Sequence, residues 1–182
     1  MLGLGLFALA IALAEKPVEL PNVRGGTWTL PADAKAIVLV FVGHDCPVSN
    51  GYSPEIARIH REYGPQGAAV CVVYSDPDLE LATARKHAEE FGLVCDAVLD
   101  PKQILARRVG ATAMPEAAVL TPKGEVAYLG RIDDRYLTPG KRREQVTARD
   151  LRDALDAVLA EKKVKVARTK AIGCDLPAPA TR

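Results

Sequence analysis

The chain has almost no excess of either charge. Its 182 residues include 24 Lys and Arg against 23 Asp and Glu, which leaves a formal net charge of +1. A nucleic-acid-binding protein usually carries a basic excess that neutralises phosphates, so we expect no nucleic-acid partner. Internal repeats and low-complexity blocks are also missing, and a chain of this length is typical of one folded domain.

An apolar run long enough to cross a bilayer is missing too. The run MLGLGLFALAIALA, residues 1–14, is uncharged, but a spanning helix needs about 20 apolar residues. A short apolar run that ends in Ala12-Leu13-Ala14 is typical of a signal peptide, although no Lys or Arg precedes it in this chain. We therefore expect residues 1–14 to be a signal peptide and the protein to be exported to the periplasm or another extracytoplasmic compartment. Membrane association is then expected only through this signal.

Cysteine is scarce, with four in the chain: Cys46, Cys71, Cys95 and Cys174. In an oxidising compartment these four can pair in three ways. Cys71 and Cys95 fall in apolar runs, where a cysteine commonly acts as a small hydrophobic residue. For these two the sequence leaves a bridge and a pair of inert thiols equally open.

Strands that alternate with helices are what the chain does contain. Three apolar runs are typical of buried strands: residues 34–43, 67–76 and 93–100. Four segments are predicted to be helices: residues 53–64, 78–92, 101–110 and 147–163. A hairpin is predicted at 116–130, around a Pro-Lys-Gly turn. This order predicts an α/β domain over residues 15–163, followed by a tail at 164–182.

The segments around Cys46 follow a known arrangement. In FVGHDCPVSNGYSPEI, Cys46 follows a predicted strand and Pro54 lies eight residues after it. The stretch from VCVVYSDPD to EEFGLVCDAVLDP predicts strand, helix and strand, and VGATAMPEAAVLTPKGEVAYLGRID leads into the hairpin. Together, over about residues 19–163, these segments resemble the thioredoxin fold in its redoxin branch, which includes the AhpC/TSA-type peroxiredoxins and periplasmic thioredoxin-like reductants. The resemblance implies a central mixed sheet flanked by helices, a redoxin-type strand–helix insert, and a helix from about Pro47 that bends at Pro54.

The resemblance also implies a site. Cys46 would be a nucleophile at a helix N-terminus, where unpaired N–H groups and the helix dipole favour a thiolate. Met114-Pro115 would be the cis-proline bond of the family, beside which an extended polypeptide substrate lies. His44 would tune the thiolate by adding positive charge, whereas Asp45 would oppose it.

One residue departs from the two-cysteine motif of these relatives. The second cysteine would stand at position 49, where this chain has Ser49. The tail could supply it instead, because Cys174 in TKAIGCDLP lies beyond the last predicted helix and an extended tail reaches far. Cys174 is then a candidate resolving thiol; alternatively it staples the tail to the body or stays free. Cys46 could likewise be half of a structural disulfide.

The peroxiredoxin pattern is incomplete as well. Gly43 offers no hydroxyl to orient a peroxide, and Glu116 rather than an arginine follows the proline. We therefore expect an exported thiol–disulfide oxidoreductase or thiol-dependent antioxidant protein that acts on a thiol or disulfide protein substrate or a small-molecule oxidant, without a cofactor. The alternative is a non-catalytic thioredoxin-fold module that binds copper or a protein partner. No metal site is predicted, because Asn50 replaces the second cysteine of copper-delivery relatives, and His60 and His87 are interpreted as surface residues.

Overall fold

A computed structural model describes residues 18–178 of the protein; the predicted signal peptide, residues 1–14, lies outside them. The helices are α1 (Pro47–Tyr63), α2 (Leu81–Glu90), α3 (Ile104–Val109) and α4 (Asp150–Leu159). The strands, in chain order, are β1 (Glu19–Pro21), β2 (Thr27–Thr29), β3 (Ala36–Phe41), β4 (Ala68–Tyr74), β5 (Asp96–Leu99), β6 (Ala113–Met114), β7 (Glu116–Leu120), β8 (Val126–Gly130), β9 (Tyr136–Thr138), β10 (Lys141–Arg142) and β11 (Cys174–Asp175).

A five-stranded mixed sheet, in the order β5-β4-β3-β7-β8, forms the centre of the fold. β3, β4 and β5 run parallel, and β7 and β8 are antiparallel to their neighbours. All six residues of β3 are buried, because both faces of the sheet are covered. Apolar residues of α1, α2 and α4 cover one face, while α3 and the β1–β2 arm cover the other. The predicted mixed sheet flanked by helices is confirmed.

The predicted elements are all present. Most have shorter bounds than the patterns indicated, but the helix predicted over residues 53–64 begins earlier and is longer. The helix after Cys46 begins at Pro47 and contains Pro54 in its interior, as the resemblance implied. The bond Met114-Pro115 is cis, also as implied. Among residues 18–178, none of the helices has the length and apolar character needed to span a membrane.

Backbone outside the sheet covers both of its edges. On the β5 side, the Val23 N–H donates to the Ala97 carbonyl at 2.8 Å. On the β8 side, Leu129 donates to the Ala167 carbonyl at 3.0 Å, and Thr169 donates back to the Leu129 carbonyl at 3.2 Å. The tail thus runs along β8 before it turns toward Cys46.

Candidate functional site

Cys46 lies between the end of β3 and the first turn of α1. Its backbone is extended, with φ −83° and ψ 112°, and α1 starts at the next residue. The side chain is only 1% exposed. As a thiol, Cys46 donates to the Met114 carbonyl at 3.3 Å. Space beside the sulfur is tight, because a Cβ at Gly43 would lie 3.0 Å from Cys46 Cβ and 3.3 Å from Met114 Cε. A side chain at position 43 would therefore press on both residues.

The surroundings of Cys46 favour its thiolate. Burial is the largest single influence and opposes ionisation, but four groups together outweigh it and hold the pKa of Cys46 below its usual value. They are the Cys174 thiol, the Ser49 hydroxyl, and the backbone N–H groups of Ser49 and Val48. Both N–H groups belong to the first turn of α1, where donors are unpaired and the helix dipole is positive. Cys46 therefore has the environment of a nucleophilic cysteine.

Ser49 occupies the position of the missing second cysteine and is itself part of the site. Its hydroxyl accepts a hydrogen bond from the Gly43 N–H at 3.2 Å, which leaves the hydroxyl proton for the Cys46 sulfur. Ser49 is buried. A hydroxyl at this position stabilises the thiolate but cannot form a disulfide with it.

The Met114-Pro115 loop forms the other wall of the site. β6 ends at Met114, and the Glu116 carboxylate accepts hydrogen bonds from Thr112 and Ala113 at 2.7 and 3.2 Å. Glu116 is buried, so these charge-assisted bonds are little weakened by solvent. Glu116, which replaces the arginine expected of a peroxiredoxin, therefore fixes the loop that carries the cis-proline.

The tail brings Cys174 to this wall. β11 pairs antiparallel with β6, with Cys174 opposite Met114 and Asp175 opposite Ala113. Gly173 makes the approach possible, because a Cβ there would collide with the Met114 carbonyl and with Pro115. Because Cys174 lies opposite Met114, whose carbonyl contacts the Cys46 sulfur, its thiol is close enough for the two cysteines to shift each other's pKa. Sequence reasoning named both cysteines, and the structure brings them together.

The two sulfurs of this pair differ in acidity. Burial, the hydrogen bond to Cys46, and the negative charges of Cys46, Asp45 and Asp175 raise the pKa of Cys174 to about 12. Cys46 therefore ionises before Cys174, whose thiol keeps its proton to higher pH.

Cys71 and Cys95 lie on opposite faces of the sheet. Cys71 packs in the core that faces α3, and Cys95 packs in the core that faces α1 and α2. Both are buried free thiols. Burial raises the pKa of Cys71 well above its usual value and that of Cys95 to about 11. Of the two open interpretations, the structure favours inert thiols over a bridge.

A buried polar chain lies beneath the loop before Cys46, and sequence reasoning missed it. The Asn50 amide donates to the His44 carbonyl at 3.4 Å, while its oxygen accepts from His87 Nε2 at 2.9 Å. His87 Nδ1 in turn accepts from the Tyr74 hydroxyl at 2.7 Å. The interpretation of His87 as a surface residue is wrong: it is buried, and burial lowers its pKa. The chain ties the loop of His44 to α1, α2 and β4.

His44 and Asp45, the predicted tuning residues, lie at the rim. His44 Nδ1 is 3.9 Å from Asp45 Oδ1, and the Asp45 side chain is 81% exposed. The charge of Asp45 contributes to the raised pKa of Cys174. Among residues 18–178, no three His, Cys, Asp or Glu side chains lie together as ligands for a metal ion.

This chain is similar to known proteins in its sequence family and in its three-dimensional structure. The AhpC/TSA family matches residues 14–129, whereas no curated protein matches the chain. Among solved structures, a hypothetical protein from Sinorhizobium meliloti is 28% identical, with a TM-score of 0.78 over 88% of this chain and 90% of that one. An uncharacterized conserved protein from Geobacillus kaustophilus is 26% identical, with a TM-score of 0.77 over 91% of each chain.

A third solved structure has an activity in its description. It is a secreted disulfide oxidoreductase from Mycobacterium tuberculosis, described as homologous to Escherichia coli DsbE. It is 13% identical, with a TM-score of 0.54 over 79% of this chain and 95% of that one. Likeness at this identity shows the fold alone. With the family match, it confirms the predicted thioredoxin-like, redoxin-type fold.

Proposed function

The chain belongs to the AhpC/TSA family, and from that premise we propose that it is a thiol–disulfide oxidoreductase with Cys46 as nucleophile and Cys174 as resolving thiol. The observation that carries the proposal is the pairing of β11 with β6, which holds a protonated Cys174 against a thiolate-favouring Cys46. A structural role alone does not require the two thiols to differ in acidity. Exchange chemistry does require it, since the thiolate is the attacking species.

The reaction proceeds in two exchanges. The Cys46 thiolate attacks one sulfur of a substrate disulfide, forms a mixed disulfide, and releases the other half of the substrate as a thiolate. Cys174 then attacks the Cys46 sulfur, forms the Cys46–Cys174 disulfide, and gives its proton to the second leaving thiolate. The substrate gains two electrons and the protein loses two. An external dithiol reductant must then restore both protein thiols.

The remaining site residues have supporting roles in this scheme. Met114 and Pro115 form the edge beside which a polypeptide disulfide is bound during the mixed-disulfide step. Because β11 pairs with Met114 on this edge, the tail must move aside while the substrate binds. The Asp45 charge helps the Cys46 thiolate to keep Cys174 protonated, because both oppose a second negative charge at the site; the Cys46 charge disappears once the mixed disulfide has formed. His44, which faces Asp45, moderates that effect when it is protonated.

A thiol-dependent antioxidant role uses the same two cysteines. The Cys46 thiolate, a hydroperoxide and a proton give a sulfenic acid and an alcohol, and Cys174 condenses with the sulfenic acid to release water. Gly43 lacks a hydroxyl, and the Glu116 carboxylate is engaged by the loop. We therefore favour a disulfide over a hydroperoxide as the electrophile.

We also propose that the protein acts outside the cytoplasm. The support is the uncharged apolar run at residues 1–14, which is typical of a signal peptide. The Mycobacterium tuberculosis protein of the same fold is described as secreted. A reporter fusion that is active only after export, compared with the same fusion lacking residues 1–14, tests this location.

The redox proposal is tested by disulfide mapping in graded glutathione buffers. We expect a Cys46–Cys174 disulfide that opens at a potential above about −300 mV, as exchange enzymes do. Cys174→Ser should accumulate the mixed disulfide at Cys46, Cys46→Ser should form none, and the buried-thiol control Cys95→Ser should behave as the wild type. A Cys46 that stays free in every buffer, or a bond that never opens, would overturn the proposal in favour of a non-catalytic binding module.

A further inference from the structure

We propose that Gln103 is the positioning residue of the resolving step: its side-chain amide fastens the tail so that Cys174 stays against Cys46. The inference rests on the proposed function, because it assigns a task in the second exchange. Gln103 does not touch either sulfur. It acts through the strand that carries Cys174.

Gln103 links the body of the fold to the tail by one nitrogen. Its Nε2 donates to the Ser75 carbonyl at 3.1 Å and to the Pro177 carbonyl at 2.6 Å, which uses both amide hydrogens. Ser75 directly follows β4, whereas Pro177 lies three residues after Cys174. The side chain is 3% exposed, so water does not compete for these bonds.

The backbone of Gln103 indicates that the side chain is needed there. Its φ of 53° and ψ of 39° lie in the left-handed region, which disfavours residues other than glycine. The turn is held by Asp100, whose carbonyl accepts from the Gln103 N–H at 2.9 Å and whose carboxylate accepts from Ile104 and Leu105. A glycine would suit this conformation better but could not reach Pro177. Glutamine at a position whose backbone favours glycine, with a buried amide that donates two hydrogen bonds, points to a specific role for that amide.

Cys174 is consequently fixed from both sides. Upstream, the Thr169 hydroxyl hydrogen-bonds to the Tyr128 hydroxyl and accepts from the Arg131 N–H. Downstream, the Leu176 N–H donates to the Thr112 carbonyl at 2.9 Å, and Gln103 holds Pro177. Without Gln103, the downstream side of β11 keeps only the Leu176 bond in the described chain. The two-residue strand would then fray, and the local concentration of Cys174 at Cys46 would fall.

The test compares Gln103→Met with Gln66→Met. Methionine keeps the length of the side chain but has no N–H donors. Gln66 is an exposed glutamine whose amide hydrogen-bonds to the nearby Glu62 carbonyl. The effective concentration of Cys174 for Cys46 is measured in glutathione buffers by acid quenching and mass spectrometry. Gln103→Met loses both hydrogen bonds, and the loss of the one to Pro177 in the tail predicts a fall of about 2- to 12-fold. No fall is expected in Gln66→Met.

A second pair of variants leaves the body of the fold untouched. Truncation after Leu176 removes the Pro177 carbonyl, while truncation after Ala178 keeps it; only the first should reproduce the Gln103→Met effect. In the reduced protein, both Gln103→Met and truncation after Leu176 should also increase the rate at which a bulky maleimide labels Cys46, relative to the rate with iodoacetamide.

The outcomes separate this inference from the function on which it rests. The role of Gln103 alone would be overturned if Gln103→Met and the protein truncated after Leu176 both form the Cys46–Cys174 disulfide with the wild-type effective concentration and label at the wild-type rate. A wild-type protein that forms no such disulfide would overturn the proposed function, and the role of Gln103 in resolution with it.

Discussion

Replacing Ser49 by alanine should lower the rate at which Cys46 reacts with an alkylating reagent, without unfolding the protein. The Ser49 hydroxyl is one of the donors that lower the pKa of Cys46, and alanine removes it while leaving the backbone N–H of the same residue in place. A hydrogen bond to a charged group contributes about 1.5–3 kcal/mol, so the thiolate population below the pKa falls about 10- to 150-fold.

The observed rate falls less, because a more basic thiolate is also a better nucleophile. With a Brønsted coefficient of about 0.4–0.5, about half of the logarithmic loss is recovered. The expected decrease in the rate of iodoacetamide alkylation of Cys46, measured near neutral pH, is therefore about 4- to 16-fold. The midpoint of the pH–rate profile should move upward in parallel.

Ser53→Ala is the matched control for this measurement. Ser53 is equally buried and lies on the same helix, but it is not among the groups that set the pKa of Cys46. Cys174→Ser must be measured beside it, because the Cys174 thiol is a stronger influence than the Ser49 hydroxyl. An unchanged pH midpoint in Ser49→Ala would refute the stabilisation of the Cys46 thiolate by the Ser49 hydroxyl.

Two further predictions concern the tail and the buried histidine. Gly173→Ala should force β11 off the Met114 backbone. Loss of two tail hydrogen bonds at about 1 kcal/mol each predicts about 30-fold faster labelling of Cys46 by a bulky maleimide. Gly140→Ala, where a Cβ meets open space, should leave the labelling rate unchanged. Burial and the nearby His44 lower the pKa of His87, so the unfolded chain binds a proton at this residue more readily than the folded chain does. The contribution of neutral His87 to the free energy of unfolding is therefore present above about pH 6.5 and lost as the pH falls through the folded pKa. Urea unfolding at about pH 8 and about pH 5.5 should therefore show an acid-side loss that is smaller in His87→Gln; an equal loss in both proteins would contradict this assignment.

The central strands and the cysteine turn could be predicted because their signals are local. β3 and β4 are continuous apolar runs. Such a run predicts a strand buried on both faces without any knowledge of which strands lie beside it. Cys46 and Pro54 keep a fixed spacing along one helix. Such features depend on neighbours within a few residues, which a single sequence displays.

His87 shows a signal that was present but misread. Its charged neighbours suggested a surface position, yet Ala84, His87, Ala88 and Phe91 repeat at helical spacing, and the first three are buried. What the spacing could not reveal is the partner, because Asn50 lies on another helix. The periodicity of small and aromatic residues was a better guide than the polarity of the adjacent ones.

The tail and Gln103 could not have been predicted by the same means. That Cys174 meets Cys46 depends on the register of β11 against β6. Gln103 takes a left-handed backbone without the glycine that normally marks one. Cys71 and Cys95 were ambiguous for a related reason, since only the pleat of the sheet decides which face each sulfur occupies.

The course of the tail along β8 has a consequence for solubility. The outermost strand of an open sheet exposes unpaired N–H and C=O groups, which recruit strands from other molecules. In this fold Ala167 and Thr169 bond to Leu129 on that strand, as Val23 bonds to Ala97 on the opposite edge. Deleting the whole tail to remove Cys174 would thus also uncover an edge prone to intermolecular strand pairing. Point substitution at Cys174 keeps the chemistry of the thiol separate from self-association of the sheet.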